Sequence, residues 1–315
     1  MFYRPLFRFV PDGTKIRFMR GRFAGLITSA VLSTASLILF FHPGLNMGLD
    51  FKGGVVLEVH TQAPANFPGL RAALASAGLA DANLQSFGTD GQGVLISLES
   101  RATAAQTQTA ITEAETALNA AAPGAKILST QAVGASVSHQ LFAQGLEALG
   151  LSFTMILIYI WFRFEWQFAV GAVATLVLDT TKAVGFMVLT RIPFDLVTIA
   201  AILTVIGYST NEKVVVYDRV RENLRKYKSM PLRDLIDLSI NETLNRTLGT
   251  SGTVFLAALP LALFGGSALS GFAWIMLFGI VVGTSSSIFI AAPILLFLGE
   301  HRLRRSATLP KAHGN

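Results

Sequence analysis

Six long apolar runs dominate this chain of 315 residues and leave it few folds to choose from. They are Phe23–Phe41, Leu146–Phe162, Phe168–Leu189, Leu196–Tyr217, Leu248–Phe264 and Phe272–Leu298. A bilayer core takes about 20 mostly apolar residues per helix, with a range of about 17–25, so each run predicts a membrane-spanning helix. The runs from Leu146 and Leu248 sit at the short end, and the last is long enough to tilt or to stop early near Pro293. Charged residues make up 14% of the chain, against about 25% in an average soluble domain. A purely soluble globular fold and a disordered chain are both excluded. The absence of cysteine removes disulfides, Cys-x-x-Cys redox sites and thiolate metal sites together.

Charge placement orients the runs. Arg4, Arg8, Lys15, Arg17, Arg20 and Arg22 precede the first. A cleaved signal peptide competes for this region, but both the basic segment and the apolar run are long, and no Ala-x-Ala site precedes His42-Pro43. Segment 43–143 carries four basic residues against seven acidic ones, whereas 218–247 carries seven basic residues in under a third of that length. The tail 301–315 adds Arg302, Arg304, Arg305 and Lys311. Six spans with both termini inside place every Lys/Arg-rich segment in the cytoplasm and the acidic segment outside. The expected layout is therefore a cytoplasmic segment 1–22, a first span 23–41, an outside domain 42–143, a five-helix bundle 144–300, and the tail. The stretch 218–247 within the bundle is expected either to be a solvated connecting helix or to lie on the membrane surface as an amphipathic linker.

The outside segment reads as a folded α+β unit. Gly54–Thr61 alternates as a strand, and Asn66–Leu79 has a helical pattern. Asn83–Thr89 and Val94–Glu99 read as strands split by Asp90-Gly91, a hairpin signal. Ala104–Ala121 is Ala-rich and helical, and Lys126–Val133 closes as a strand. The order β-α-β-β-α-β is that of a ferredoxin-like unit.

Several chemistries have no support. The chain has no Walker-type phosphate loop, no His-Glu-x-x-His and no Gly-x-Ser-x-Gly, so an ATPase, a zinc protease and a serine hydrolase are not indicated. The expectation is a protein that is not an enzyme, with no nucleotide, metal or other cofactor and no nucleic-acid partner.

What remains is charge inside the membrane, where an ionisable side chain costs about 2.5–3.5 kcal/mol and marks function by default. Asp179 and Lys182 sit mid-span in the third run, spaced to meet on one helix face, either as a packing ion pair or as part of a proton path. An adjacent cation holds Asp179 ionised, which argues against it as the sole proton carrier. By rise per residue, Asp179 lies roughly 16 Å and Glu212 about 8 Å from the cytoplasmic ends of their spans. Thr204, Tyr208 and Asn211 follow a helical stripe with Glu212 beside it. A ladder Lys182/Asp179–Tyr208–Asn211/Glu212 with an outlet at Arg246 is the resulting expectation, alongside a plainer one in which Glu212 snorkels to the interface beside Lys213. Gly279 and Gly283 form a small-residue spacing suited to close helix packing.

Two blocks carry a family resemblance: Gly48-Leu49-Asp50-Phe51-Lys52-Gly53-Gly54 after the first span, and LVTIAAILTVIGYSTNEKVVVYDRVREN over Leu196–Asn223. With INETLNRTLGTSGT (Ile240–Thr253) and LFGG (Leu263–Gly266), they resemble the SecD/SecF family of bacterial protein export, in its smaller, SecF-type members. The resemblance implies an α-helical integral membrane protein of the inner membrane. It would have six transmembrane helices and a small α+β ferredoxin-like periplasmic domain, in the resistance-nodulation-division superfamily. It also implies pairing with SecD, work beside the SecYEG channel and a YajC-like small subunit on unfolded translocating polypeptide, and use of the proton gradient.

Residue by residue, the family's intramembrane acid falls on Asp179, its Asn-Asp pair on Asn211-Glu212, and the arginine of its R-T-x-x-T-S block on Arg246. The family usually has Asp where Glu212 stands, and many members lack a cation at Lys182, which moves the expected proton site toward Glu212. Gly53-Gly54 permits a tight entry into the first strand, and Asp50 and Lys52 are expected to anchor the periplasmic domain to the membrane rim. Two other readings stand beside proton-coupled export: a non-conducting subunit that stabilises SecD and the channel, and a small-molecule exporter of the same superfamily.

Overall fold

The computed structural model describes residues 10–298 apart from 12–13, 88–89, 100 and 102. The basic residues of the tail and Arg4 and Arg8 lie outside the described residues. A single 3-10 turn (Phe18–Gly21) leads into α1 (Arg22–Phe41). The short α2 (Leu49–Lys52) then opens the sheet domain, which runs β1 (Gly54–His60), α3 (Phe67–Ser76), β2 (Asn83–Phe87), β3 (Gly93–Leu98), α4 (Ala104–Ala121) and β4 (Lys126–Val133). Five long helical segments follow: α5 (Ala135–Arg163), α6 (Trp166–Thr190), α7 (Leu196–Lys226), α8 (Leu232–Phe264) and α9 (Gly266–Ser286). The last continues through a π turn (Ser287–Ala291) into α10 (Ala292–Phe297). Among the described residues, six helical segments are long and apolar enough to cross a membrane, so the chain is a multi-pass membrane protein.

The sheet is antiparallel in the order β2-β3-β1-β4, the ferredoxin-like arrangement. Alternation decides its core. Val55, Leu57 and Val59 of β1 and Val94, Ile96 and Leu98 of β3 point to one face, where Leu70 and Leu74 of α3 and Ala114 and Leu118 of α4 cover them. Asn66 caps α3 by accepting from the Gly69 amide, and Thr103 caps α4 through the Gln106 amide.

The helices differ from the apolar runs mainly in length. α5 begins at Ala135, eleven residues before its hydrophobic run. The stretch expected to lie flat as a linker does not do so. α7 continues to Lys226, α8 begins at Leu232, and only residues 227–231 turn between them. At 1.5 Å per residue α7 is about 46 Å long, well beyond a hydrocarbon core of about 30 Å.

The reason is mutual satisfaction. Val220 and Leu224 pack on Leu232, Leu235, Ile236 and Ile240 in one apolar cluster. The polar faces pair as well: Arg219 meets Glu222 at 2.6 Å and Glu242 at 2.8 Å, and Asn223 donates to Ser239 at 3.0 Å. A charged segment with a buried face of its own has no need of the membrane surface.

Within the bundle α7 packs on α6, α8 and α9 and is the central helix. Gly279 of α9 lies directly against Val205, and a Cβ on Gly283 would sit 3.2 Å from Ser209. The glycine pair serves close helix approach.

Candidate functional site

Two polar clusters flank α7, and a third feature ties its N-terminal end to the sheet domain. The first cluster is centred on Asp179 of α6. Its Oδ1 faces Lys182 Nζ at 3.3 Å. Its Oδ2 accepts from Lys213 Nζ at 2.9 Å, Ser209 Oγ at 2.7 Å and Ser286 Oγ at 2.6 Å. Ser209 and Lys213 stand one turn apart on α7, and Lys213 also donates to the Ser209 carbonyl at 3.2 Å. All five side chains are buried. One carboxylate thus holds two ammonium groups in the bundle core, with its acceptor positions filled.

Sequence reasoning missed Lys213, treating it as the neighbour of Glu212 at the interface. Adjacent residues on a helix point about 100° apart, so the two face opposite partners. A signal was present. Ile202, Val205, Ser209, Val216 and Val220 form the buried stripe of α7, and Lys213 falls on it.

The second cluster lies between α7 and α8. Glu212 is 1% exposed. Its Oε1 accepts from Thr250 Oγ1 at 3.0 Å, while Oε2 has no hydrogen-bond partner. Thr247 Oγ1, one turn earlier on α8, is also buried and unpartnered. Tyr208 donates to Ser251 Oγ at 2.6 Å, and Ser251 meets Thr284 Oγ1 of α9 at 2.8 Å. Arg246 is exposed, one turn before Thr250, and close enough to act on Glu212 electrostatically.

The continuous ladder expected from the sequence is therefore divided. Tyr208 and Glu212 face α8, whereas Ser209 and Lys213 face α6 and α9. Asn211 and Thr204 point outward from α7, exposed, and join neither cluster. The two i,i+4 pairs, offset by one residue, make α7 the wall between a charge-saturated site and an unsaturated one.

The third feature is the Gly48–Gly54 block. The Gly48 amide donates to the Phe194 carbonyl at 2.8 Å, and the Phe194 amide donates to Asn46 O at 2.7 Å. Asp50 Oδ2 accepts from the Leu196 amide at 3.0 Å, at the N-terminus of α7. Phe51 packs on Phe142 and Phe194 with ring centroids 5.3 and 5.2 Å apart. Gly53 and Gly54 turn into β1 with φ of 70° and 119°, a region that favours glycine. Lys52 is exposed. The block docks on the α6–α7 turn, and Asp50 helps to cap the helix that carries Glu212.

Asp195 is the N-cap of that helix, in a capping box with Thr198. Burial raises the Asp195 carboxyl above the usual carboxylate range, and Asp50 beside it acts in the same direction. A carboxyl that holds its proton more tightly when folded stabilises the fold fully below pH 3.8, and that stability is lost as pH rises through the raised value. Asp195→Asn keeps an N-cap acceptor but cannot ionise. We expect the variant to be at least as stable as the parent at neutral pH and to lose this acid-side gain, measured as unfolding midpoints across pH. Parallel pH curves for the two proteins would contradict it.

Comparison with known proteins adds the following. Residues 113–301 match a family described as "Protein export membrane protein SecD/SecF, C-terminal", and residues 38–65 match the "SecD/SecF GG Motif". A protein translocase subunit SecF of Rhodobacter capsulatus is 41% identical over 307 residues, covering 94% of this chain and 92% of the relative. One from Rickettsia bellii is 40% identical over 298 residues, covering 95% and 98%. The crystal structure of SecDF, a translocon-associated membrane protein from Thermus thermophilus, superposes with a TM-score of 0.82 at 29% identity, covering 91% of this chain. A super-membrane-facing form of SecDF superposes with a TM-score of 0.62 at 30% identity. The chain spans 39% and 41% of those two SecDF chains.

Proposed function

The chain belongs to the SecD/SecF family of protein-export membrane proteins, and on that premise we propose that it is the SecF-type subunit of a protein translocase, driven by protons bound at Glu212. The chain superposes on two solved structures of SecDF, which supports SecD as its partner. The wider assembly would include the SecYEG channel, a YajC-like small subunit and unfolded polypeptide. The location is the inner membrane with both termini in the cytoplasm, as the basic segments favour. No nucleotide, metal or enzymatic turnover enters the reading.

The observation that carries it is the contrast between the two intramembrane acids. Asp179 is surrounded by two ammonium groups and two hydroxyl donors, which fix it as a charged structural centre. Glu212 is equally buried but has no ammonium group against it: one close hydrogen bond, from Thr250, reaches Oε1, and its other neighbours are the hydroxyls of Thr247 and Tyr208 and the exposed Arg246. The ionised carboxylate could accept from these hydroxyls, and the protonated acid could donate to a hydroxyl oxygen, so the site has a use for both states of the acid. α7 then links the site to the outside. From Leu196, held by Asp50, to Glu212 it is unbroken, about 24 Å of helix. A shift of α7 against α8 on proton binding moves the α6–α7 turn on which the sheet domain is docked. One charge crossing the membrane supplies about 2.3 kcal/mol per 100 mV, enough to bias a domain equilibrium more than tenfold.

The test is export into vesicles by the chain reconstituted with SecD and the channel. Glu212→Gln should lose at least about tenfold of the gradient-stimulated rate while the complex assembles normally, and Glu212→Asp should keep much of it. Unchanged gradient dependence in Glu212→Gln would overturn the proposal. Loss of assembly in place of coupling would favour the structural-subunit reading.

A further inference from the structure

The N-terminal segment before α1 is gripped by its backbone. Asp237, Asn241 and Asn245 stand four residues apart on one face of α8. The Val10 amide donates to Asn245 Oδ1 at 3.0 Å, and Asn245 Nδ2 donates back to the Val10 carbonyl at 2.9 Å. Ile16 repeats the arrangement with Asn241, at 3.0 Å and 2.8 Å. Met19 N donates to Asp237 Oδ1 at 2.8 Å. The segment therefore runs antiparallel to α8, and the residue after Asn245 is Arg246.

An asparagine side chain has the same donor and acceptor geometry as a peptide group, so it pairs with both the N–H and the C=O of one residue whatever that residue's side chain. Ile16 is 45% exposed, so its side chain is not what holds the segment. The apolar contribution comes from the end nearer α1. Met19 is buried against the cluster that contains Leu235 and Ile236, and Phe18 meets Phe289 edge-on with centroids 6.0 Å apart. The opposite face of this part of α8 is held by α7, through Asn223 to Ser239 and Glu242. The cytoplasmic half of α8 is thus clamped from two sides, one turn below the residues that meet Glu212.

We propose that Asp237, Asn241 and Asn245 form a ladder that straps the N-terminal segment along α8 and so sets where Arg246 and Thr250 stand against Glu212. They are positioning residues, one step removed from the proton site, and this role rests on the reading of Glu212 given above. Glu212 is faced by Tyr208 on its own helix and by Arg246 on α8, while Lys213 points to the other side of α7, where Asp179 and Lys182 of α6 engage it, and acts on Glu212 only electrostatically.

The experiment uses the full chain assembled with SecD in membrane vesicles and two variants, Asn245→Ala and Asn241→Ala/Asn245→Ala. Hydrogen exchange at the Val10 and Ile16 amides reads the strap, and should speed up at least about tenfold in the double variant. The pH profile of carbodiimide labelling at Glu212 reads the position of its neighbours without reference to export, and should shift by about one pH unit. The single variant should free Val10 alone and shift the profile less. If these amides stay protected in the double variant, the ladder is not what holds them and the proposal fails. If they are released and the labelling profile is unchanged, the positioning role fails. Failure of the Glu212 reading itself appears separately, as Glu212→Gln retaining full gradient-driven export.

Discussion

Asp179→Asn should be the most damaging single change in the membrane bundle, leaving little folded protein in detergent extracts. The carboxylate is the negative charge that meets both Lys182 and Lys213, and all three are buried. Asparagine keeps the shape and leaves two ammonium groups facing each other without a counter-ion. Removing one partner of a buried pair costs about 3–5 kcal/mol, a large part of a total stability of about 5–15 kcal/mol. The lysines should be graded differently. Lys182→Met leaves a neutral Asp179–Lys213 pair with both serine hydroxyls in place, and should be close to neutral. Lys213→Met also leaves a neutral pair, with Lys182 at 3.3 Å, but removes the closer cation at 2.9 Å and strands the Ser209 carbonyl contact, so an intermediate loss is expected. Yields and unfolding midpoints of the three variants give the ranking. An Asp179→Asn protein as stable as Lys182→Met would show that the cluster is not a structural centre of the bundle.

The second large effect is expected at the hinge, from Gly48→Val. A Cβ at this position would sit 2.9 Å from Asp195 Cβ and 3.1 Å from the Phe194 carbonyl. These neighbours belong to the α6–α7 turn, which is pinned by the capping box of α7 and cannot yield cheaply. Overpacking of this kind costs about 1–3 kcal/mol. Separation of the two strands of chain also breaks the Gly48–Phe194 and Asp50–Leu196 hydrogen bonds, each contributing about 0.5–1.5 kcal/mol. The sheet domain has its own core and should stay folded. What should be lost is its docking, seen as faster proteolysis across residues 44–53 and as loss of gradient-driven export with Glu212 intact. Lys52→Ala, at an exposed position in the same block, should change neither. A Gly48→Val protein with normal protease resistance and normal export would remove the hinge from the mechanism.

Much of the architecture was legible because membranes make sequence patterns strict. A span needs an apolar run of fixed length, and a half-buried sheet needs alternation; both are visible without neighbours. Helix ends were less legible. α8 starts at Leu232, in a segment too polar to read as a span, because Ser239 and Glu242 are paired with Asn223 of the adjacent helix. The acids of the site were visible as charges inside apolar runs. Their partners were not, since Ser286 and Thr250 are unremarkable residues until helix packing brings them to Asp179 and Glu212.

By itself the sequence determined the six apolar spans, the fold of the sheet domain, the charge asymmetry and the presence of Asp179 and Glu212 within apolar runs. The tertiary structure alone decided that these two acids belong to different sites, that Lys213 turns inward to saturate Asp179, and that Asp50 caps the helix carrying Glu212. The physical reason is that periodicity gives each residue a face on its own helix, while the partner on that face is supplied by a segment tens to hundreds of residues away.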